Sequence, residues 1–225
     1  CLEVMRRTGA AAVGGVQRPV GSSALGHAIA WCMSTPFGMG NARFRYTTRE
    51  AESDTVFSIF TRCSTLRAVG GYDERIPFDE DSDLNYRLRR NGAKLVVSPR
   101  IEVLYHVRNS LRALWKQMYC YGYWRRATQL KHPGAVPMRV YAPAALVAGL
   151  AFSAALAATP ARAFAAIFTG SYAAFVLLSG ILSSSRVGVN GFYVPVVLAT
   201  MHVAYGAGYW TALMKTRTLA PDAAG

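Results

Sequence analysis

Three long stretches without a charged residue lie in the C-terminal part of the chain. They cover residues 140–159, 163–185 and 187–214, and are 20, 23 and 28 residues long. A helix needs about 20 predominantly apolar residues to cross a bilayer, whereas long helices of soluble proteins normally keep a polar face. Helices buried in a soluble core are the alternative. The sequence therefore predicts membrane spans at about 140–159, 163–185 and 192–214.

The charge distribution divides the chain at the same place. The formal net charge is +13, and residues 1–139 hold 21 of the 25 Lys and Arg residues and 11 of the 12 acids. The basic residues just before the first apolar stretch are Arg108, Arg112, Lys116, Arg125, Arg126, Lys131 and Arg139. Basic residues flank spans on the cytoplasmic side, so we expect a plasma-membrane protein with a cytoplasmic polar part. Three spans would put Lys215 and Arg217 outside, unless one segment is re-entrant or interfacial.

A basic helix is predicted directly before the first span, capped by Ser110 and ending near Lys131. Its aromatic and amphipathic pattern is typical of a helix in the headgroup plane, with an ordinary domain helix as the alternative. Its basic residues require an anionic partner, which could be lipid phosphate, a nucleotide diphosphate or nucleic acid. Because the helix adjoins a membrane span, we expect lipid or a diphosphate and no nucleic acid.

The polar part alternates between apolar strand-like and helical patterns. The predicted elements are, in order, a helix at 2–8, a strand at 10–16 that ends at Gly14-Gly15, a helix at 22–33, a Gly-rich loop at 35–50, a strand and a short helix within 53–74, a helix at 82–91 stopped by Gly92, and two strands separated by Pro99-Arg100.

The segment FDEDSDLNYRLRRNG, residues 78–92, gathers four carboxylates in five positions: Asp79, Glu80, Asp81 and Asp83. The helix dipole favours an acid in a first turn by about 0.3–1 kcal/mol, which explains one or two of them, but neighbouring carboxylates repel each other. Such clusters bind a cation, face a basic partner or hold a catalytic base. The spacing lacks the EF-hand rhythm, so a calcium loop is not expected.

Several segments occur in one order and at consistent spacing: VGGVQRP, PFGMGNARFRY, GGYDE, DEDSDLNYRLRRNGAKL, and QMYCYGYWRR followed by KHP. Together they resemble the family 2 glycosyltransferases, and among them the bacterial membrane enzymes of exopolysaccharide assembly of the succinoglycan type. The resemblance covers about residues 1–139, and the apolar stretches that follow fit it. GGYDE alone is a weak signal, but the Glu-Asp pair eight residues after Tyr72 and the downstream Gln/Tyr-Gly-x-Trp-Arg helix make the combination specific.

The resemblance implies an α/β fold of the GT-A type, with a mostly parallel sheet that binds a nucleotide-sugar, followed by transmembrane helices. It implies inverting transfer of a sugar to a lipid-linked or polysaccharide acceptor at the cytoplasmic membrane face. In that reaction a carboxylate takes the proton of the acceptor hydroxyl, and the family's base maps onto Asp81, with Glu80 beside it. Residues 1–107 would be the C-terminal part of the GT-A domain, 108–139 a basic interfacial region and 140–225 the transmembrane region.

The resemblance also implies binding residues. GGYDE lies on the acceptor side in the family, which assigns acceptor contacts to Gly71, Tyr72, Asp73 and Glu74. Processive relatives hold acceptor and diphosphate with a Gln-x-x-Arg-Trp motif on an interfacial helix. Gln117 and Trp124 take a similar place, but the Arg-Trp order is absent, which favours transfer of a single sugar. Residues expected to neutralise the leaving diphosphate are Arg125, Arg126, Lys131 and His132.

The family's uridine-binding strands and its Asp-x-Asp motif, which holds a divalent metal (Mg²⁺ or Mn²⁺), are expected before residue 1. The chain opens on Cys1 without a signal-peptide pattern, so we expect it to lack the donor-binding half and to turn over little by itself. His106 could reach the metal, with a locally hydrogen-bonded strand-end histidine as the alternative. The four cysteines form no CxxC pair, so no zinc site is expected.

Two other functions compete with sugar transfer. A non-catalytic, membrane-anchored remnant or interaction module would fit the missing start but not the intact Glu80-Asp81 pair. A small transporter or scaffold would give no reason for the arrangement of GGYDE and the acidic pair. His202, within the third apolar stretch, is a functional hint because of its location, with a hydrogen bond between helices as the alternative.

Overall fold

The computed structural model describes residues 1–40, 42–133 and 138–215. It divides the chain into two units: a sheet unit, Cys1–Val20 with Asn41–His106, and a helical unit, Gly21–Gly40 with Val107–Gly225. The segment Gly21–Gly40 therefore groups with the C-terminal helices, although the sequence assigned all of residues 1–107 to one domain.

The described sheet unit contains a mixed sheet and short helices. Its elements are α1 (Leu2–Thr8), β1 (Ala12–Val20), β2 (Ala51–Glu52), β3 (Phe57–Thr61), α4 (Cys63–Ala68), α5 (Glu80–Arg90) and β4 (Leu95–His106), with a 3₁₀ turn at Arg43–Arg45. The strand order is β2-β4-β1-β3. Strands β1 and β4 are parallel, whereas β3 and β2 run antiparallel to their neighbours. The family resemblance implied a mostly parallel sheet. The described sheet is mixed instead.

The Gly14-Gly15 pair lies inside β1, not at its end as predicted. The ladder with β4 continues as far as Val20, which pairs with His106. A Cβ atom on Gly14 would lie 2.6 Å from the Cβ atom of Val56 and 2.6 Å from the backbone oxygen of Phe57. Glycine therefore lets the start of β3 approach β1 more closely than any side chain would allow.

Strand β4 is continuous where the sequence predicted two strands. Gly15 pairs with Ser98 and the next residue, Val16, pairs with Glu102, so three extra residues of β4 bulge out of the ladder. The bulge contains Pro99, and a bulge is where a proline can lie in a strand without losing a ladder hydrogen bond.

Helix α5 packs on the sheet through the two leucines that the sequence placed on its core face. Leu84 and Leu88 are almost fully buried in a cluster with Ala12 and Val16 of β1 and Val56. Full burial of a leucine side chain contributes about 1.5–3 kcal/mol. The predicted stop is confirmed as well, since Gly92 follows the helix with a φ of 76°.

The described helical unit contains α2 (Ala24–Met33), α3 (Pro36–Met39), α6 (Leu111–Lys131), α7 (Ala142–Leu156), α8 (Arg162–Val187) and α9 (Val194–Lys215), with 3₁₀ turns at Met138–Tyr141 and Gly188–Tyr193. The predicted cap of α6 is confirmed, because the Ser110 hydroxyl accepts a hydrogen bond from the Ala113 N–H at 3.2 Å. The region predicted as a Gly-rich loop instead contains α3, which begins at a proline, a residue suited to a first helical turn.

One stretch of the described chain, Arg162–Lys215, is long and apolar enough to cross a membrane, judged by length and composition. This stretch consists of α8, the turn at Gly188–Tyr193 and α9. Helix α7 has 15 residues, fewer than the about 20 that a span needs and fewer than the predicted span at 140–159. Arg217, used above to weigh the side of the C-terminus, lies outside the described residues.

Helix α6 packs closely on α9 through glycines on both helices. A Cβ atom on Gly122 of α6 would lie 1.9 Å from the backbone oxygen of Tyr205. One on Gly208 of α9 would lie 2.1 Å from the backbone oxygen of Tyr119. Small residues at such contacts let helix backbones approach each other.

We expect Gly122→Leu to push α6 away from α9 and to destabilise the helical unit by about 1–3 kcal/mol, as overpacking does. The measurement is the thermal unfolding midpoint of the detergent-purified protein. Gly170→Leu is the matched control, because a Cβ atom there meets nothing within 4 Å. Equal midpoints for the two variants would contradict the close packing.

Candidate functional site

The acidic cluster forms the start of α5, two residues earlier than predicted. Asp79 is the N-cap residue and has a left-handed backbone with a φ of 70°, and its side chain makes no capping hydrogen bond. Glu80, Asp81 and Asp83 occupy the first turn. The Asp81 carboxylate is half-buried, and its Oδ1 accepts a hydrogen bond from the Ser82 N–H at 2.7 Å. A carboxylate there is also stabilised by the helix dipole.

Asp83 is held in a structural ion pair. It is fully buried, and its Oδ2 accepts hydrogen bonds from Arg87 Nη2 at 2.7 Å and Arg87 Nε at 2.9 Å. Arg87 Nη1 also donates to the backbone oxygen of Val69. The pair therefore ties α5 to the residue before the GGYDE segment.

Asn85 fastens the first turn of α5 to the start of β3. Its side chain is buried, and Nδ2 donates to the backbone oxygens of Asp81 at 2.8 Å and Val56 at 3.1 Å. Nδ2 also donates to the Thr55 hydroxyl at 3.0 Å, and Oδ1 accepts from the Val56 N–H at 3.4 Å. The amide thus fixes the backbone of Asp81 to a neighbouring strand.

Asn85→Ala is expected to destabilise the sheet unit by about 1–3 kcal/mol, since it leaves buried backbone groups of Val56 without a partner. If Asp81 is the base that the family resemblance implies, the reaction rate should also fall more than substrate binding, because the Asp81 backbone loses its anchor. Steady-state kinetics beside a urea midpoint measure both effects. Asn91→Ala is the control, because Asn91 makes an exposed hydrogen bond at the end of the same helix. Unchanged kinetics in Asn85→Ala would contradict the positioning role.

Tyr72 of the GGYDE segment feels the charges of the acidic pair Glu80-Asp81. Gly70 and Gly71 follow α4 with φ angles of 80° and 71°. Tyr72 comes next and is 46 % exposed. Partial burial raises the pKa of the Tyr72 phenol, and the charges of Asp81 and Glu80 raise it further. The charges of both predicted catalytic carboxylates therefore act on the Tyr72 phenol.

The two acids of GGYDE differ in their surroundings. Asp73 Oδ1 accepts hydrogen bonds from the Arg75 backbone N–H at 3.0 Å and from Arg75 Nε at 3.0 Å, so Asp73 organises its own turn. Glu74 is exposed to solvent.

The other predicted binding residues belong to the helical unit. Gln117 is buried in α6 and donates from Nε2 to the Tyr121 hydroxyl at 3.0 Å. The ring of Trp124 lies edge-to-face with that of Tyr123, with centroids 5.6 Å apart. The expected diphosphate ligands lie in the last two turns of α6 and at its C-cap: Arg125, Arg126, Lys131 and the C-cap residue His132.

A polar contact that the sequence did not predict joins α6 to α9. Gln129 Oε1 accepts hydrogen bonds from Arg126 Nη1 at 2.8 Å and from the Tyr209 hydroxyl at 2.7 Å. The sequence did not predict the role of Asn85 either. The Asn85–Val56 and Gln129–Tyr209 contacts both join residues that are far apart in the chain. The Arg87–Asp83 pair had a local signal, since residues four apart face each other on a helix.

A cluster of metal ligands is not found among the described side chains. They include no group of three or more His, Cys, Asp or Glu residues that could hold a metal ion. His106 is exposed at the end of β4.

Comparison with curated proteins finds two kinds of relative. The chain is 31 % identical over 211 residues to the succinoglycan biosynthesis protein ExoA of Rhizobium meliloti, which is 93 % of this chain and 63 % of that protein. It is 33 % identical over 96 residues to the pre-mycofactocin glycosyltransferase of Mycobacterium tuberculosis, which is 43 % of this chain and 20 % of that protein. No family model matches the chain. No solved structure matches it either.

Proposed function

Because the chain belongs to the family 2 glycosyltransferases, we propose that it serves the transfer of a sugar from a nucleotide-diphospho-sugar to a lipid-linked or polysaccharide acceptor. The relative that aligns over most of the chain acts in succinoglycan biosynthesis, which supports a role in exopolysaccharide assembly. The chain spans 63 % of that relative's length. The activity of a complete enzyme of this family is therefore a proposal for this chain.

The observation that carries the proposal is the placement of Asp81. Its carboxylate lies at the N-terminus of a helix whose first turn is anchored by Asn85, and its charge contributes to the raised pKa of the partly exposed Tyr72 phenol. A base must be held in place to take a proton while a bond forms elsewhere. Asp81 has that support from its own backbone and keeps part of its side chain accessible.

In the proposed reaction Asp81 accepts the proton of an acceptor hydroxyl while that oxygen bonds to the anomeric carbon of the donor sugar. The bond between the anomeric carbon and the diphosphate oxygen breaks on the opposite side, and its electron pair leaves with the diphosphate. One displacement of this kind inverts the anomeric configuration. Glu80 and the exposed carboxylate of Glu74 are candidates for hydrogen bonds to the acceptor sugar.

Acceptor binding is assigned to Gly71, Tyr72, Asp73 and Glu74 in the sheet unit and to Gln117 and Trp124 in the helical unit. The leaving diphosphate would be balanced by Arg125, Arg126, Lys131 and His132. We propose transfer of a single sugar, because α6 lacks the Arg-Trp order of processive relatives.

We propose that the protein lies in the plasma membrane with its sheet unit on the cytoplasmic side. The stretch Arg162–Lys215 has the length and composition of membrane-crossing helices. Large apolar side chains on α8 are also exposed, among them Ile167 at 66 % and Ile181 at 69 %. Apolar side chains exposed along a whole helix mark a surface that is covered by lipid or protein. The basic residues before the apolar stretches favour the cytoplasmic side.

The test is a transfer assay on membranes that carry the longest open reading frame containing the 225 residues. A panel of radiolabelled nucleotide-diphospho-sugars is supplied with lipid extract or oligosaccharide acceptor. The expected result is label in the lipid or glycan fraction, in the inverted anomeric configuration. Binding to the membrane without transfer from any donor would instead favour a non-catalytic membrane module.

A further inference from the structure

The segment Gly21–Gly40 contains no Lys, Arg, Asp or Glu and forms α2 and α3 of the helical unit. Helix α2, Ala24–Met33, is a short apolar helix. It contacts both α8 and α9, and α3 contacts α9. A segment between two strands of a polar domain has thus joined the apolar helices.

Helix α3 contacts residues near the middle of α8 and of α9. The Phe37 ring and the Phe175 ring of α8 are in edge contact, with centroids 5.9 Å apart. His202 Nε2 of α9 lies 2.8 Å from the backbone oxygen of Phe37, and the same histidine's Nδ1 lies 3.1 Å from the Tyr172 hydroxyl. His202 thus links α3, α8 and α9, which is the hydrogen bond between helices weighed for it above. If α8 and α9 cross a bilayer, these contacts lie far from either membrane surface.

Two hydroxyl groups between α2 and α3 donate to the backbone of α2. Ser34 donates to the Ala30 oxygen at 2.7 Å, and Thr35 donates to the Cys32 oxygen at 3.2 Å. Serines of α8 do the same, as Ser179 does to Phe175 at 2.8 Å. Polar groups in hydrocarbon need an internal partner, and Ser34 and Thr35 have one in the backbone of α2, as Ser179 has in α8.

The apolar surface of α3 is continuous with that of α8. Phe37 is 42 % exposed and its ring partner Phe175 is 38 % exposed. Two phenylalanine rings that contact each other and are both partly exposed fit a hydrocarbon occupant. The acyl chains that would cover α8 would cover Phe37 as well.

We propose that Gly21–Gly40 is a re-entrant membrane element, with α2 entering the hydrocarbon layer beside α8 and α9 and α3 turning within it against the acyl chains. The length of α2 fits. Its 10 residues rise about 15 Å, which is half of the about 30 Å hydrocarbon thickness. His27, the exposed polar residue of α2, then lies near the entry end. The inference rests on the proposed membrane placement of α8 and α9.

The experiment is spin-label accessibility in vesicles of phosphatidylcholine and phosphatidylglycerol. Single cysteines are placed at Phe37, at Leu178 on α8 and at Phe60 on β3, in a chain with its four native cysteines replaced. Oxygen partitions into bilayers, whereas a nickel chelate stays in water. We expect the label at 37 to match the one at 178, with high oxygen and low nickel accessibility, and the one at 60 to show the reverse. Pro36→Cys is a second reporter if Phe37→Cys does not fold.

Each outcome decides a separate point. If the label at 178 is lipid-exposed and those at 37 and 36 are nickel-accessible, the re-entrant element is wrong while the membrane placement stands. If 178 is nickel-accessible too, the membrane placement fails and the inference falls with it. Low accessibility to both reagents at 37, with dipolar broadening between labels, would show a second copy of the chain as the occupant and overturn the lipid contact.

Discussion

Asp81→Asn is expected to reduce the turnover of sugar transfer by about 10²–10⁴-fold, the contribution of a positioned general base. The amide has nearly the same shape and can still accept the hydrogen bond of the Ser82 N–H. It cannot take the proton of an acceptor hydroxyl. Binding of the nucleotide-sugar should therefore be retained, so the loss should appear in kcat and not in the donor KM.

The measurement is initial-rate kinetics with the active full reading frame, beside a donor-binding titration. Glu52→Gln is the matched control, because Glu52 is an exposed carboxylate on β2 of the same unit. Glu80→Gln should have a smaller effect than Asp81→Asn if Glu80 supports the base without replacing it. Turnover near that of the wild type in Asp81→Asn would show that the base assignment is wrong.

Arg87→Met should be among the most destabilising single changes in the sheet unit, at about 3–5 kcal/mol. That is the cost of removing one partner of a buried ion pair. The Asp83 side chain is 0 % exposed and that of Arg87 18 %, so water replaces little of the lost interaction. The variant also removes the hydrogen bond to Val69, which should loosen the approach to GGYDE.

Pulse proteolysis in urea measures this loss without requiring the whole chain to unfold in one step. Arg90→Met is the control, because Arg90 is exposed at the end of the same helix. Asp83→Asn combined with Arg87→Met should be less destabilised than Arg87→Met alone, since no charge is then buried without its partner. Equal losses for the single and double variants would show that the ion pair contributes little.

Helix α5 illustrates how far local sequence rules reach. Its leucine face and its glycine stop were predicted, because both depend on residues within one or two turns. Its start was predicted at residue 82, whereas the helix begins at Glu80. In the structure Asp79 makes the turn with a left-handed backbone and no capping side chain, a geometry that composition does not reveal. As a result Glu80 and Asp81 lie inside the helix, not before it, and Asp79 is the N-cap residue.

The segment after β1 shows where those rules end. Pro36, Gly38 and Gly40 together predicted a loop, because each favours a turn. Helix α3 forms there and docks on residues 175 and 202, more than 130 positions later in the chain. The partner of an uncharged segment is set by tertiary packing, which no local pattern encodes. The bulge in β4 has a similar origin, because its register is set by the partner strand.

Gly14 has a consequence for genetics. Its missing side chain makes room for Val56, Val56 bonds to Asn85, and Asn85 bonds to the backbone of Asp81. A larger residue at position 14 would push this series of contacts outward and displace the carboxylate at its end. A screen for loss of the proposed sugar transfer should therefore recover substitutions in the middle of a buried strand. A map of sugar contacts alone would class that position as inert.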